Sequence, residues 1–338
     1  MLESWHPGLA VAVGRSQGGA EQPRSPRSAS NPSALLHTVM AYWKHYLQPG
    51  SVDEALAALA ETPGAARVIA GGTDLLLDLR QGRQAAVEAL IDVGGIPEMR
   101  DIRQDGDALF VGAAVTHREI VVNPLLARNA PALVVACSLI GGPQVREVAT
   151  IGGNVAHALP AADAAVALVA LGAEGCVAGP RGRRWVPVEA LFQSPGVPTF
   201  DRSREILVEF RVPLRSEREG SAFHRIMRPQ GIAIAILNGA AWVRLLPGGE
   251  LADVRLIVAP TGPTPARSGK AEDILRGCVL DDDAIAAAAS AVRQDARLRT
   301  SPHRATQEYR SLIVEVVVRR ILRDALDCAQ AEPVKAIA

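Results

Sequence analysis

Cysteine is scarce in this chain. Its four cysteines, Cys137, Cys176, Cys278 and Cys328, are scattered through 338 residues and never form a C-x-x-C pair. That spacing excludes a thiolate metal centre and argues against a disulfide framework in a chain of this length. The four read as plain buried or half-buried thiols of a reducing compartment. Aromatic residues make up 4% of the sequence, too few for a platform that stacks nucleic-acid bases. Charge of either sign is not in excess: Lys+Arg and Asp+Glu stand at 36 each, so no global field recruits nucleic acid or an anionic membrane. No apolar run approaches the roughly 20 residues of a membrane span. The opening "MLESWHPGLAVAVG" lacks a basic n-region and a cleavage site, so no signal peptide is read. G-x-x-x-x-G-K-[ST] is absent, as is G-x-G-x-x-G after a strand, which excludes the P-loop and Rossmann readings.

What is present suits a soluble protein of two or three domains. Residues 1–39, with "GRSQGGAEQPRSPRSASNPS", are rich in Gly, Ser, Pro and Arg and are expected to be a disordered tail or a misassigned start. Folded sequence is expected from Met40, where "SVDE" reads as a capping box with Ser51 as N-cap and Glu54 reaching back. Next, in "ARVIAGGTDLLLDLRQG", a β-type run over Arg67–Ala70 breaks at Gly71-Gly72. Thr73 or Asp74 can then cap a helix that turns Leu75, Leu76 and Leu79 inward. A strand, two glycines and a helix start make a cradle for an anion. Backbone without side chains lets a ligand approach, and free N–H groups point at it.

A second such stretch is "ATIGGNVAHALPAAD", whose run from Ala149 to Pro160 has no Lys, Arg, Asp or Glu. Thr150 and Asn154 offer neutral hydrogen-bonding groups around Gly152-Gly153. The two stretches could converge on one diphosphate, with Asp163 accepting from a ribose diol; Asp163 also suits an N-cap of "DAAVALVALGA". The residues alone imply a nucleotide diphosphate ligand. Gly94-Gly95, Gly141-Gly142 and Gly248-Gly249 read as structural turns. His117 and His157 read as hydrogen-bonded scaffold, and His303 as part of a helix start.

"AGGTDLL", "TIGGN" with an acid nine residues beyond its Asn, and "REILVEFRVP" together resemble the FAD-binding subunit of molybdenum hydroxylases, the xanthine dehydrogenase and carbon monoxide dehydrogenase family. The likeness runs from about Met40 to Ala325 and includes "LIDVGGIPEMRDI", "LFVGAAVTHREI", "SAFHRIMRPQGIAIAILNGAAWV", "GPTPARSGKAEDILRG" and "EYRSLIVEVVVRRIL". It implies an α+β fold: a two-subdomain FAD-binding unit of the vanillyl-alcohol-oxidase type followed by a smaller C-terminal α+β domain. The expected divisions are 40–216 (subdomains about 40–95 and 96–216), 217–330 and a tail at 331–338, with "PLRSEREGS" as the polar linker.

The resemblance also assigns site residues. Val68 and Ile69 lead into the first glycine loop, Ala70, Gly71, Gly72, Thr73, Asp74 and Leu75, which wraps the FAD pyrophosphate. Thr150, Ile151, Gly152, Gly153 and Asn154 close its other side, and Asp163 matches the acid at the adenosine half. Ile140 and Leu207 match apolar positions of the flavin site. The segment from His224 through Arg225 to Ile232 matches the stretch near the isoalloxazine, with the choice between His224 and Arg225 open. No metal ligand or catalytic dyad is read in this chain. The [2Fe–2S] clusters and molybdopterin are implied on a small and a large partner subunit, in a dimer of heterotrimers in the cytoplasm, with peripheral membrane association left open. The implied role is electron transfer from the clusters to FAD and on to an external acceptor. Two alternatives are a stand-alone FAD oxidoreductase of the same superfold and a flavin-free scaffold or maturation protein.

The C-terminal third reads as a hairpin, "AAWVRLLPGGELADVRLIVA", followed by helices at 265–276, 281–296 and 305–326. The last is expected to turn Leu312, Ile313, Val316, Val317 and Ile321 to one apolar face.

Overall fold

A computed structural model describes residues 42–228, 234–302 and 304–331. The expectations for residues 1–39, Ile232, His303 and the tail beyond 331 lie outside the described residues.

The chain opens with β1 (Trp43–Leu47), α1 (Val52–Glu61), β2 (Ala66–Ile69), α2 (Leu75–Arg80) and β3 (Val87–Asp92). The three strands form a parallel sheet in the order β1-β3-β2. Parallel neighbours need crossovers, and α1 and α2 are those crossovers. Ser51 caps α1 by accepting from the Glu54 amide at 3.2 Å. The Glu54 carboxylate reaches one residue further back than the capping box predicts and accepts from Gly50 N at 2.7 Å.

Then come β4 (Ile102–Asp105), β5 (Ala108–Gly112) and six short helices. These are α3 (His117–Val122), α4 (Pro124–Asn129), α5 (Pro131–Ser138), α6 (Pro143–Val148), α7 (Ile151–Ala156) and α8 (Asp163–Leu171). Pro124, Pro131 and Pro143 each stand at a first helical position, where a missing N–H costs nothing. α8 is buried along its whole length, which its unbroken small apolar sequence permits. β6 (Glu174–Gly179), β7 (Gly182–Pro187), the small ribbon β8 (Phe192–Ser194) with β9 (Val197–Pro198), and β10 (Ile206–Pro213) follow. The larger sheet runs β4-β5-β10-β6-β7, antiparallel throughout.

The last part is a meander of β11 (Glu219–Met227), β12 (Ala235–Leu245) and β13 (Leu251–Ala259), then α9 (Gly269–Leu275), α10 (Asp282–Asp295) and α11 (Gln307–Gln330). Successive side chains of a strand face opposite ways, and here both faces are covered. Leu237, Ala241 and Val243 join a core with Ile313, Val317 and Ile321 of α11. Phe223, Ala240 and Trp242 point the other way, into the core that contains α5 and α8. β12 is the central strand, so "AILNGAAWV" is buried from end to end.

One helical face differs from expectation. Ile313, Val317 and Ile321 are buried, but Leu312 is 72% exposed and Val316 40%. The covered stripe is instead Ile313, Val314, Val317, Val318, Ile321 and Leu322, turned so that Leu312 and Val316 fall on the solvent side. A run dense in Leu, Ile and Val fits several stripes equally well, and only the sheet beneath selects one.

Candidate cofactor site

The first glycine stretch lies at the end of β2, where the chain leaves the parallel sheet before α2. Val68 is half-buried and Ile69 buried; Ala70, Gly71, Gly72, Thr73 and Leu75 are half-buried and Asp74 is exposed. Gly72 has φ +66°, the left-handed region that glycine enters without strain. Asp74 stands at the N-cap position of α2 but its side chain caps nothing. Among the described residues the amides of Gly71, Gly72, Thr73, Asp74 and Leu75 find no acceptor. Five successive N–H groups are therefore open to an anion.

Gly71 brings this turn against the second stretch. A Cβ there would stand 1.9 Å from the Val148 carbonyl oxygen and 2.9 Å from Ala149 Cα. Val148 and Ala149 lead directly into Thr150, so the two glycine stretches, remote in sequence, abut in the fold.

The second stretch is not an open loop. Thr150 is the N-cap of α7, and its hydroxyl accepts from Gly153 N at 3.1 Å. Ile151 N donates to Val115 O at 3.0 Å, Gly152 N to Ala113 O at 2.8 Å and Asn154 N to Thr150 O at 3.0 Å. Its amides are thus spent on the fold, which corrects the symmetrical picture of two cradles. Its glycines also divide their roles. A Cβ on Gly152 would meet Ala113 at 2.5 Å, whereas Gly153 is exposed and would meet only Thr150 Oγ1 at 3.1 Å. Asn154 is half-buried and steadies the first turn of α8 by accepting from Ala165 N at 3.3 Å. Its Nδ2 has no protein partner among the described residues.

Asp163 is the first residue of α8 rather than its N-cap, which is Ala162. It is 7% exposed, and its carboxylate is bonded from two sides. Arg225 Nη1 donates to Oδ2 at 2.6 Å, and Asn238 Nδ2 donates to Oδ1 at 2.6 Å. Arg225 also donates to the Leu139 carbonyl, and Asn238 to Ala161 O at 3.1 Å. Burial pushes the Asp163 carboxyl above the usual carboxylate range, while Arg225 and Asn238 pull it back. The network fastens β11 and β12 to the ends of α5 and α8.

Alternation along β11 separates His224 from Arg225. Arg225 faces Asp163, whereas His224 is turned to α11 and its Nε2 lies 2.7 Å from Arg320 Nη1. Burial and the Arg320 charge push His224 below the usual imidazole range, so it accepts as the neutral ring. Ile140 is half-buried just past α5, and its carbonyl accepts from Arg146 at 3.1 Å. Leu207 is 6% exposed on β10 and packs beside Gly175 in the core of the five-stranded sheet. Among the described residues no hydrogen bond joins it to the other predicted site residues.

Two residues that matter here were not singled out in the sequence. Asn238 is the lone amide in an apolar nine-residue run, and that isolation was the available signal. Arg146 left no such mark. The backbone of His117 fits a hydrogen-bonded scaffold residue: its amide donates to Ala149 O at 3.0 Å. Its ring does not, since Nδ1 is buried without a partner among the described residues. Burial, with the Arg146 charge nearby, pushes His117 down to about 4.

Residues 40–215 match the family described as FAD binding domain in molybdopterin dehydrogenase, and residues 221–325 match CO dehydrogenase flavoprotein C-terminal domain. The chain is similar to the putative xanthine dehydrogenase FAD-binding subunit of Escherichia coli (strain K12), 31% identical over 84% of this chain and 96% of that one. It is similar also to the 6-hydroxypseudooxynicotine dehydrogenase complex subunit alpha of Paenarthrobacter nicotinovorans, 34% identical over 86% of this chain and 96% of that one. Among solved structures, the carbon monoxide dehydrogenase of Hydrogenophaga pseudoflava that lacks the Mo-pyranopterin moiety superposes with a TM-score of 0.79 at 30% identity, over 84% of this chain and 97% of that one.

Proposed function

Since the chain belongs to the family of FAD-binding subunits of the molybdenum hydroxylases, we propose that it carries electrons between the iron–sulfur clusters of a partner subunit and an external acceptor. The single observation that carries the FAD part is the run of five open amides from Gly71 to Leu75 beside the Val148–Thr150 strap. A diphosphate needs many donors and no side-chain volume, and this turn supplies both. Bound FAD supplies the redox chemistry, accepting electrons singly or in pairs. The protein's part is to bind and orient it. Gly71, Gly72, Thr73, Asp74 and Leu75 hold the pyrophosphate, with Val68, Ile69 and Ala70 as the lead into the turn. Gly153 and the side-chain Nδ2 of Asn154 line the other side, with Thr150, Ile151 and Gly152 fixing their position. Asp163 serves the adenosine half, kept in place by Arg225 and Asn238, while Ile140 and Leu207 supply apolar surface.

Molybdopterin and the [2Fe–2S] clusters belong to partner subunits in this proposal, and the assembly is a cytoplasmic dimer of heterotrimers. Among the described residues no group of three His, Cys, Asp or Glu side chains could hold a metal, and no helix is long and apolar enough to cross a membrane. We divide the chain into 40–216 and 217–330, as the polar linker suggests. Substrate choice rests with the partner, because relatives named for xanthine and for 6-hydroxypseudooxynicotine are about equally similar to this chain.

The test is the visible spectrum of the purified chain with its heat-released cofactor identified. Stoichiometric FAD, lost in Gly72→Val, supports the proposal. A colourless chain that refuses added FAD refutes the cofactor assignment. Purification of the tagged chain alone, active on a substrate of its own, refutes the partner assignment.

A further inference from the structure

A cavity of about 350 Å³ lies where Leu171 ends α8, between the β10–β11 connection and the sheet face formed by β12 and β13. α8 begins at Asp163, so its nine residues place roughly 13 Å of helix between this cavity and the Asp163–Arg225 network. It is a separate place in the fold.

Three guanidinium groups line it: Arg215, Arg244 and Arg255. None forms an ion pair among the described residues. Arg255 lies 4.0 Å over the Trp242 ring, and Arg244 stands 5.8 Å from the same ring. Arg215 donates to Glu219 O at 2.7 Å and to the Cys328 carbonyl. Arg255 makes only a long 3.3 Å bond to Ala170 O at the end of α8. Carbonyls and an indole thus orient these cations without neutralising them.

The strand register is built for one row of side chains. Ser221 pairs with Trp242 across β11–β12, and Trp242 pairs with Arg255 across β12–β13. Ser221 is 5% exposed, and its hydroxyl oxygen accepts from Ala132 N at 3.4 Å. Its own proton has no acceptor among the described residues. In the adjacent row Glu219 is the register partner of Arg244, yet the two are not ion-paired; the Glu219 carboxylate instead accepts from Ser216 N at 3.0 Å. With Glu219 and the exposed Asp107 counted against three arginines, the lining keeps one net positive charge. Burial pushes Arg255 below the usual guanidinium range, with the nearby Asp253, Glu219 and Glu272 carboxylates opposing the fall without pairing to it.

We propose that this cavity binds a small oxyanion, a phosphate monoester or a di- or tricarboxylate, gripped by Arg244 and Arg255 with Ser221 donating from the floor. Forked guanidinium donors match two-oxygen acceptors. The volume lies at the small end of ligand sites. The assignment stands independently of the cofactor proposal.

The test is calorimetric titration of the full-length, purified protein with inorganic phosphate and, separately, with citrate, using chloride as control. Saturable single-site binding by either is expected, phosphate alone indicating the phosphoester source and citrate alone the carboxylate source. Arg244→Gln and Ser221→Ala should each weaken it by about tenfold or more, the worth of one charge-assisted hydrogen bond. Arg244 is exposed, so Arg244→Gln should leave the unliganded melting temperature and the FAD content unchanged. No binding at millimolar anion, or equal binding by wild type and Arg244→Gln, overturns the proposal. Binding by the free chain that vanishes in the assembled complex also overturns it, and assigns the cavity to a partner's carboxylate.

Discussion

Arg225→Met removes one partner of a buried ion pair while keeping most of the side-chain volume. Both heads are almost inaccessible, at 5% and 8% side-chain exposure. The variant leaves the Asp163 carboxylate with Asn238 alone and strips the Leu139 carbonyl of its donor. Breaking a buried pair in this way costs about 3–5 kcal/mol. The deficit should also depend on pH, with a sign that can be worked out. Burial already holds the folded Asp163 carboxyl above its unfolded value, and Arg225 is the main influence opposing that rise. Without Arg225 it rises further. A carboxyl raised in the folded state contributes stability that is present below its unfolded pKa, about 3.9, and lost as pH climbs through the folded value. The gap between Arg225→Met and wild type should therefore be widest near neutrality and narrow on acidification, as Asp163 takes up a proton. Urea unfolding of both proteins from about pH 7 down to about pH 4.5 measures it. Other titrating groups act on both chains and cancel in the difference. Asp163→Asn placed in the Arg225→Met background should recover much of the loss at neutral pH, since a neutral amide needs no counter-charge. A deficit that is flat or grows on acidification, or a double variant no better than Arg225→Met, would refute the reasoning.

Gly152→Ala should destabilise the fold, because its Cβ would press on Ala113 at 2.5 Å, whereas Gly153→Ala should fold normally; melting temperatures compare the two. His117, held down to about 4, is neutral in the folded protein while the unfolded ring titrates near 6.5. Stability should accordingly fall between those values as pH drops, by roughly 3 kcal/mol. His117→Asn should flatten that acid slope, as urea unfolding across the window reads. Ile321→Ala should cost about 2–5 kcal/mol, and Leu312→Ala no more than about 0.5 kcal/mol. Equal losses would contradict the register of α11.

Local signals were legible in the linear chain. The glycine pairs, the Ser51 cap, the hairpin around Gly248-Gly249 and the three C-terminal helices follow from turn chemistry and periodicity, which act over a few residues. The balanced charge and dispersed cysteines likewise bounded what the chain could be. The site was only half legible. "TIGGN" looks like "AGGTD" in composition, yet its amides are spent because Val115 and Ala113 happen to lie beside them. Asp163 read as an acid awaiting a ligand; it meets Arg225 and Asn238, 62 and 75 residues further on. His224 and Arg225 are neighbours in the chain, but strand alternation sends them to opposite cores. Leu312 and Ile313 are chemically alike, and only the sheet beneath α11 distinguishes them. Sequence alone thus determined the first glycine turn, the α1 cap, the C-terminal hairpin and the three helices after it, because those preferences belong to single residues and their near neighbours, whereas the second glycine stretch, read as a loop, is helix α7. Tertiary structure decided which donors stay open, which charges pair and which face is covered, because each depends on groups brought together from distant parts of the chain.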